Sequence, residues 1–161
     1  MTISKFSERV KHAIPTRMSH TRFLYHIVFG TKDRLDLIGE SWENELYAYL
    51  GGIVRGLNGD AIAINGMADH IHLLVRLAPC DFPAFMRELK ASSSKWAKRH
   101  QPNFSWQRRY AAFTVSESAA DAVRDYIRRQ KVHHAKRSFE DEYAQLLRRH
   151  NIEFDEKYLW D

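Results

Sequence analysis

The chain has 161 residues, of which 44% are apolar, and it carries a formal net charge of +5 at pH 7. This length suffices for one folded domain, and the apolar fraction is too high for a disordered chain. It has no apolar run near the roughly 18 residues of a membrane span, no signal-peptide core and only one cysteine, Cys80, so we expect a protein of the reducing cytoplasm without a membrane partner.

Apolar spacing and turn signals predict eight strands and helices. In chain order they are strand 22–31, helix 41–58, strand 59–66, strand 70–77, helix 81–100, strand 111–116, helix 118–134 and helix 139–150. We interpret residues 1–17 as a poorly ordered extension before a single domain, 18–161. The order β-α-β-β-α-β is typical of an α+β ferredoxin-like (split βαβ) sandwich with an antiparallel sheet, here with additional C-terminal helices. That fold hosts many functions and does not choose between them.

Polar residues at three predicted helix starts support the helix boundaries. Asp81 is expected to cap helix 81–100. Ser118 with Asp121, and Ser138 with Asp141, resemble capping boxes in which Asp replaces Glu.

Two histidines, His70 and His72, lie in the predicted strand 70–77 with one residue between them. Because side chains alternate across a strand, both imidazoles project from one face, opposite a face that is wholly apolar. Their backbone positions are about 7 Å apart, so leaning side chains can place both rings on one metal ion. The alternative is a pair of ordinary surface histidines, and the pair alone does not decide between the two.

The predicted helix 118–134 has polar residues on the side where a packing helix should be apolar. Tyr126, Gln130 and His133 follow one inward stripe, with His134 near its edge. Singly, they have ordinary interpretations: a packing tyrosine, an amide at the core edge, and histidines that stabilise a helix C-terminus. Because buried polar groups need partners, and the sheet offers two histidines, a composite site explains all of them together.

Such a composite site permits metal-assisted chemistry on a phosphodiester. Imidazole nitrogens with an amide oxygen, and no thiolate, suit Mg²⁺ or Mn²⁺, although imidazole also admits zinc. A bound divalent ion would stabilise the charge that develops on a phosphate. A tyrosine hydroxyl beside it is a candidate nucleophile, and an aryl phosphate linkage would allow later rejoining of strands. The pattern therefore favours strand transfer over simple hydrolysis.

Two dispersed motifs resemble those of a known family. The segment DHIHLLV (69–75) resembles the His-hydrophobic-His motif of the HUH nucleases, and YIRRQ (126–130) resembles the Tyr-x-x-x-Gln helix motif of their single-tyrosine transposase branch. The similarity extends over nearly the whole chain from Met18. It includes the segments 19–34, 89–100, 110–118 and 158–160.

The resemblance to the single-tyrosine HUH transposases implies a ferredoxin-like fold and cleavage of single-stranded DNA at hairpin-bearing ends. It implies that Tyr126 is the nucleophile, forming a 5′-phosphotyrosine, and that His70, His72 and Gln130 bind Mg²⁺ or Mn²⁺. It further implies a homodimer in a bacterial or archaeal cytoplasm, associated with the nucleoid. In some members the tyrosine helix of one subunit serves the histidines of the other. His133 is a possible additional site residue.

Basic and aromatic residues between positions 87 and 110 are candidates for contacts with DNA. Basic side chains neutralise phosphates, and aromatic rings stack on unpaired bases. The basic candidates are Lys90, Lys95, Lys98, Arg99, Arg108 and Arg109. Among the aromatic residues, Trp106 lies in a polar loop and is the predicted stacking residue, whereas Trp96 continues an apolar helical stripe and is expected in the core.

Two alternative functions remain open from the sequence. One is a non-catalytic or domesticated module that binds structured DNA or RNA on its sheet. The other is a small metal-dependent hydrolase that uses the histidines without the tyrosine. A module that only binds nucleic acid has no need of the combination of two histidines, a glutamine and a tyrosine, so we favour the strand-transfer enzyme.

Overall fold

A computed structural model describes residues 20–160, so the predicted extension, 1–17, lies outside the described residues. The strands are β1 (Phe23–Gly30), β2 (Gly59–Gly66), β3 (His70–Leu77) and β4 (Ala111–Val115). The helices are α1 (Glu43–Gly56), α2 (Phe82–Ala97), α3 (Ala120–Arg128), α4 (Gln130–His134) and α5 (Phe139–Arg149). Within residues 20–160, no helix has the length and apolar character needed to cross a membrane.

The four strands form one antiparallel sheet in the order β2-β3-β1-β4. In this order β3 lies between β1 and β2, which are parallel to each other, and β1 lies between β3 and β4. Each β-α-β unit is therefore split by an inserted strand, which is the defining property of the ferredoxin-like arrangement. The predicted α+β fold class is confirmed.

The two faces of the sheet pack against different helices. On one face, the alternate residues Ile71, Leu73 and Val75 of β3 join the main apolar core with α1 and α2. On the other face, Leu74 packs against Ile127 of α3. This alternation is the one expected from the sequence, and it turns the histidine face of β3 toward the C-terminal helices.

The hairpin between β2 and β3 is fixed by a close backbone approach at Gly66. A Cβ atom at this position would lie 2.2 Å from the carbonyl oxygen of His70, which no side chain can tolerate. Gly66 pairs with Ile71, and the neighbouring Asn65 pairs with His72. The glycine therefore sets the register in which both histidines enter β3.

The predicted helix 118–134 is wrong as a single helix, because it breaks at Arg129 into α3 and α4. The side-chain amide of Asn65 donates to the carbonyl oxygens of Ile127 and Arg128, at 3.0 Å each. These carbonyls at the end of α3 are thus satisfied from the sheet, so the helix can end there without leaving them unpaired. The break changes the direction in which the side chains of α4 project.

Two of the three predicted helix caps are present. Asp81 Oδ1 accepts a hydrogen bond from the Ala84 backbone N–H at 3.0 Å, and Ser138 Oγ accepts one from the Asp141 N–H at 3.2 Å. The cap predicted at Ser118 is wrong, because this residue lies in a 3₁₀ turn, Glu117–Ala119, that precedes α3.

Candidate metal centre and nucleophile

Both histidines of β3 are completely buried beneath the C-terminal helices, each with 0% of its surface exposed. The alternative of ordinary surface histidines is therefore wrong. An imidazole buried at this depth needs hydrogen-bond partners or a ligand for both ring nitrogens.

His70 is held on two sides. Its Nδ1 lies 2.6 Å from Asp69 Oδ1, and its ring stacks on Phe139 of α5 with 4.0 Å between the ring centroids and 5° between the planes. A carboxylate on Nδ1 fixes the tautomer, which leaves the Nε2 atom as the nitrogen that can bind a metal.

His72 is held in the same way by a third histidine of the sheet, His26 on β1. The distance between His72 Nδ1 and His26 Nε2 is 2.9 Å. Burial lowers the pKa of His72 to about 4, and burial together with His72 lowers the pKa of His26 to about 3, so both rings are neutral at pH 7. Within residues 20–160, His72 Nε2 has no hydrogen-bond partner.

Gln130 and Tyr126 lie above the histidines and share one partner, Glu142 of α5. Gln130 is fully buried, and its amide Nε2 donates to Glu142 Oε1 at 3.0 Å. The Tyr126 hydroxyl donates to the same oxygen, and its ring lies 5.9 Å from the ring of His72. Burial, followed by this hydrogen bond, raises the pKa of Tyr126, so the phenol is neutral at pH 7.

Glu142 is the functional residue that the sequence prediction missed. Only 3% of the residue is exposed, and its Oε2 lies 2.5 Å from His134 Nε2, 3.5 Å from His72 Nε2 and 3.6 Å from His70 Nε2. Burial opposes ionisation, but the hydrogen bond with His134 and the approach of His72 outweigh it and hold the pKa of Glu142 well below its usual range. A signal was present, because this carboxylate lies on the apolar stripe of its helix. The other members of that stripe are Phe139, Tyr143 and Leu146.

The positions predicted for His133 and His134 are reversed. His134 faces the cluster, with its Nε2 3.1 Å from His70 Nε2. His133 is exposed and lies against the outer side of Tyr126, with ring centroids 5.2 Å apart. The reason is the break at Arg129, which a continuous helical wheel does not contain.

Four side chains in the described part of the chain could together hold a metal ion: His70, His72, His134 and Glu142. Their ligand atoms all lie within 4.8 Å of one another. Two further observations favour an ion here, since both His72 Nε2 and Gln130 Oε1 are buried without a partner among residues 20–160. The residues therefore fit the divalent ion that the sequence predicts.

Two DNA-contact predictions disagree with the structure. Trp106 is 6% exposed, packs edge-to-face on Phe29 and Phe104, and donates its Nε1–H to the buried Ser93 Oγ at 2.9 Å. It is a core residue, so its predicted role in base stacking is wrong. Lys90 is half-buried, and its Nζ donates to the carbonyl oxygens of Gln107 and Arg108, at 2.6 and 2.9 Å. Lys90 thus anchors the loop 101–110, and burial lowers its pKa to about 8.

The remaining predicted DNA contacts are solvent-exposed. They are Lys95, Lys98, Arg99, Arg108 and Arg109. The first three belong to α2 or follow it, and α2 packs on the apolar face of β3, across the sheet from the histidines. Trp96 is half-buried and stacks on Tyr49, as a residue at the edge of the core.

A cleft of about 640 Å³ lies between α4 and α5, directly beside Tyr126. Its cationic lining residues are Lys136, Arg137 and Arg149, and His133 also lines it. This basic cleft, which the sequence prediction did not include, is the positively charged surface adjacent to the tyrosine hydroxyl.

The comparison with known proteins identifies the family. The sequence profile of the family Transposase IS200 like matches residues 19–130. Transposases for insertion sequence element IS200 from Salmonella typhimurium and Salmonella typhi are each 32% identical over 130 residues, a match that covers 70% of this chain and 81% of theirs. The chain belongs to the IS200-like transposase family, as its motifs predict, and is thus a protein of DNA transposition that cleaves and transfers DNA.

Solved structures agree with this assignment. A crystal structure of a candidate transposase from Deinococcus radiodurans R1 matches with a TM-score of 0.58 and 25% identity, over 71% of this chain and 95% of that one. A REP-associated tyrosine transposase bound to a REP hairpin matches with a TM-score of 0.57 over 73% of this chain and 72% of that one. At 18% identity, the second likeness concerns the fold alone.

Proposed function

We propose that the protein cleaves and rejoins single-stranded DNA at hairpin-bearing ends, with Tyr126 as the nucleophile. The observation that carries this proposal is the position of the Tyr126 hydroxyl within the cluster of buried histidines, glutamine and glutamate. In the proposed step, the Tyr126 hydroxyl gives up its proton and its Oη bonds to the phosphorus, the bond from phosphorus to O3′ breaks, and the leaving O3′ takes up a proton to become a free 3′-OH, so that one proton is lost and one is gained. The 5′-phosphate stays on the tyrosine.

His70, His72 and Gln130 are the proposed ligands of Mg²⁺ or Mn²⁺. Two observations support the assignment: each histidine has its Nδ1 held by a neighbour, and Gln130 Oε1 is buried without a partner among the described residues. A divalent ion bound there would polarise the phosphodiester and offset the charge that develops on it.

The tyrosine helix acts on the histidines of its own chain in this arrangement. α3 packs on β2 and β3, and Asn65 holds its last carbonyls, so Tyr126 reaches the site without a second subunit. We propose a homodimer in which each subunit contributes a complete site of this kind.

The DNA strand next to the scissile phosphate is proposed to lie in the basic cleft between α4 and α5. Its cations are within the same cleft as Tyr126, whereas the exposed cations of α2 lie across the sheet. We assign Lys95, Lys98, Arg99, Arg108 and Arg109 to more distant contacts with the hairpin. A REP-associated tyrosine transposase of the same fold is bound to a REP hairpin, and we propose the same kind of partner here; the substrate would be chromosomal DNA in a bacterial or archaeal cytoplasm.

The proposal is tested with single-stranded hairpin DNA from the flanks of the protein's own gene, labelled downstream of the hairpin. After incubation with and without Mg²⁺ or Mn²⁺ and denaturation, we expect a covalent protein–DNA adduct that requires metal and is absent in Tyr126→Phe. His70→Ala should abolish cleavage while retaining most of the hairpin affinity. Metal-dependent cleavage without an adduct would indicate the hydrolase, and binding without cleavage would indicate the binding module.

A further inference from the structure

The residues that follow the family-matched region bring two ligand-type side chains into the site. The family match ends at residue 130, and both His134 and Glu142 lie beyond it. We propose that these two residues join His70 and His72 in a centre of three histidines and one carboxylate, which binds a first-row transition-metal ion in preference to Mg²⁺. The inference rests on the metal centre of the proposed function and concerns its ligands and its ion.

The geometry of the Glu142 carboxylate supports a shared ion. Its Oε2 atom is surrounded by three imidazole Nε2 atoms, the closest at 2.5 Å and the farthest at 3.6 Å. Ligand atoms bound about 2.0–2.2 Å from one ion lie at most about 4.4 Å apart. Since all four ligand atoms here lie within 4.8 Å of one another, small side-chain adjustments bring them to one ion.

The surroundings of the ligands hold them in the orientation that an ion needs. Asp69 and His26 occupy the Nδ1 atoms of His70 and His72, and Gln130 donates to the other oxygen of Glu142. Each of these contacts leaves the proposed ligand atom facing the centre. Gln130 Oε1, buried without a partner among residues 20–160, remains as a fifth donor.

The chemistry of the donor set determines the preferred ion. Mg²⁺ favours oxygen ligands in an octahedron and keeps several of its waters, which a buried site rich in imidazole does not accommodate. Three imidazole nitrogens and one carboxylate suit Mn²⁺, Co²⁺ and Zn²⁺, and the affinity of such a site rises from Mn²⁺ through Co²⁺ to Cu²⁺ and is lower for Zn²⁺ than for Cu²⁺. Of the two ions expected from the sequence, Mg²⁺ and Mn²⁺, this centre should therefore bind Mg²⁺ more weakly.

Metal binding by the chelator-treated full chain tests the inference directly. Mn²⁺ is titrated and followed by the paramagnetic resonance signal of the free ion, with Mg²⁺ added as a competitor. We expect Glu142→Gln and His134→Gln each to weaken Mn²⁺ binding by about tenfold or more, and Mg²⁺ not to displace Mn²⁺ at equal concentration. The controls Glu140→Gln and His100→Gln replace exposed residues outside the proposed ligand set and should bind as the unchanged protein does.

A second measurement covers the case in which a variant folds poorly. Co²⁺ bound to the unchanged protein should give the intense visible absorption that is typical of four- or five-coordinate Co²⁺. Glu142→Asp keeps the charge but shortens the side chain, so it should alter that spectrum. Unaltered Mn²⁺ affinity in a folded Glu142→Gln, or an unaltered Co²⁺ spectrum in Glu142→Asp, would overturn the inference. The two proposals fail separately. If these metal tests fail but the metal-dependent adduct on Tyr126 forms, only the four-ligand centre is overturned. If the four ligands bind the ion but no adduct forms, only the proposed function is overturned.

Discussion

Glu142 Oε2 lies 2.5 Å from His134 Nε2, and this contact joins α5 to α4 directly above the two histidines of β3. The contact is almost completely buried on the glutamate side. A carboxylate removed from water in this way must be paired, and its hydrogen-bond partners are the Tyr126 hydroxyl, the Gln130 amide and the His134 imidazole. Helix α5 is therefore a structural part of the site that the motifs of β3, α3 and α4 define.

Replacement of Asp69 tests whether the His70 tautomer matters for metal binding. Asp69→Asn removes the charge that holds His70 Nδ1 at 2.6 Å, so we expect metal affinity to fall by about 10–100-fold. Asp60→Asn is a matched control, because Asp60 pairs with Arg76 at the surface. Calorimetric titration with Mn²⁺ measures both variants, and equal affinities would contradict the assigned role of Asp69.

Acid should destabilise the metal-free protein through His26. The unfolded chain binds a proton at His26 near pH 6.5, but the folded protein does so only near pH 3, because burial and His72 lower its pKa. Stability contributed by the neutral ring is thus complete above pH 6.5 and is lost as the pH falls toward 3, with a slope of at most about 1.4 kcal/mol per pH unit. Urea unfolding between pH 7 and 4 should give a shallower decline for His26→Asn, and parallel profiles would refute this explanation.

Trp106→Ala should lower the free energy of unfolding, because Trp106 is a core residue and not a residue that stacks on DNA bases. The buried ring packs on Phe29 and Phe104, so we expect a loss of about 3–5 kcal/mol in the free energy of unfolding. Trp106→Phe should lose less, about 1–3 kcal/mol, because it keeps an aromatic ring in the core and removes the hydrogen bond to Ser93 together with part of the indole. Urea denaturation measures both. Normal stability combined with weakened DNA binding would restore the stacking role.

Arg149→Ala should weaken the binding of single-stranded DNA and reduce its dependence on salt. Arg149 lines the basic cleft beside Tyr126, so one phosphate contact should disappear and the salt slope should fall by about 1. Lys98→Ala provides the contrast, since Lys98 is exposed at the end of α2 on the other side of the sheet. The measurement is fluorescence anisotropy with an oligonucleotide without a hairpin at several salt concentrations. An equal or larger effect of Lys98→Ala would place the strand on the other side of the sheet.

Local patterns accounted for the sheet and for the face of each histidine. Alternation over β3 separates His70 and His72 from Ile71 and Leu73, and this needs only the period of a strand. The helical spacing of Tyr126 and Gln130 likewise predicted their inward stripe. Both patterns involve only residues a few positions apart, so they can be recognised in the sequence without knowledge of the fold.

Contacts between distant segments were not predictable in this way. Asn65, which binds the last carbonyls of α3, belongs to a strand more than 60 residues earlier in the chain. The sequence at Arg129 does not itself indicate the helix break that turns His134 toward the site. Glu142 enters the site from a separate helix, and the buried carboxylate on its apolar stripe was the available sign. Trp106 is flanked by Ser105 and Gln107, and these polar neighbours indicate an exposed loop although the tryptophan itself is buried.

The central claim is that the Tyr126 oxygen becomes bonded to the 5′-phosphate of cleaved DNA. The adduct formed with metal and single-stranded hairpin DNA is digested with nuclease and trypsin, and the peptides are analysed by mass spectrometry. Because trypsin cleaves after Arg124 and Arg128, Tyr126 is isolated in the peptide 125–128. We predict a nucleoside 5′-phosphate on that peptide. A nucleotide on any other peptide, or cleaved DNA with no modified peptide, would contradict the claim.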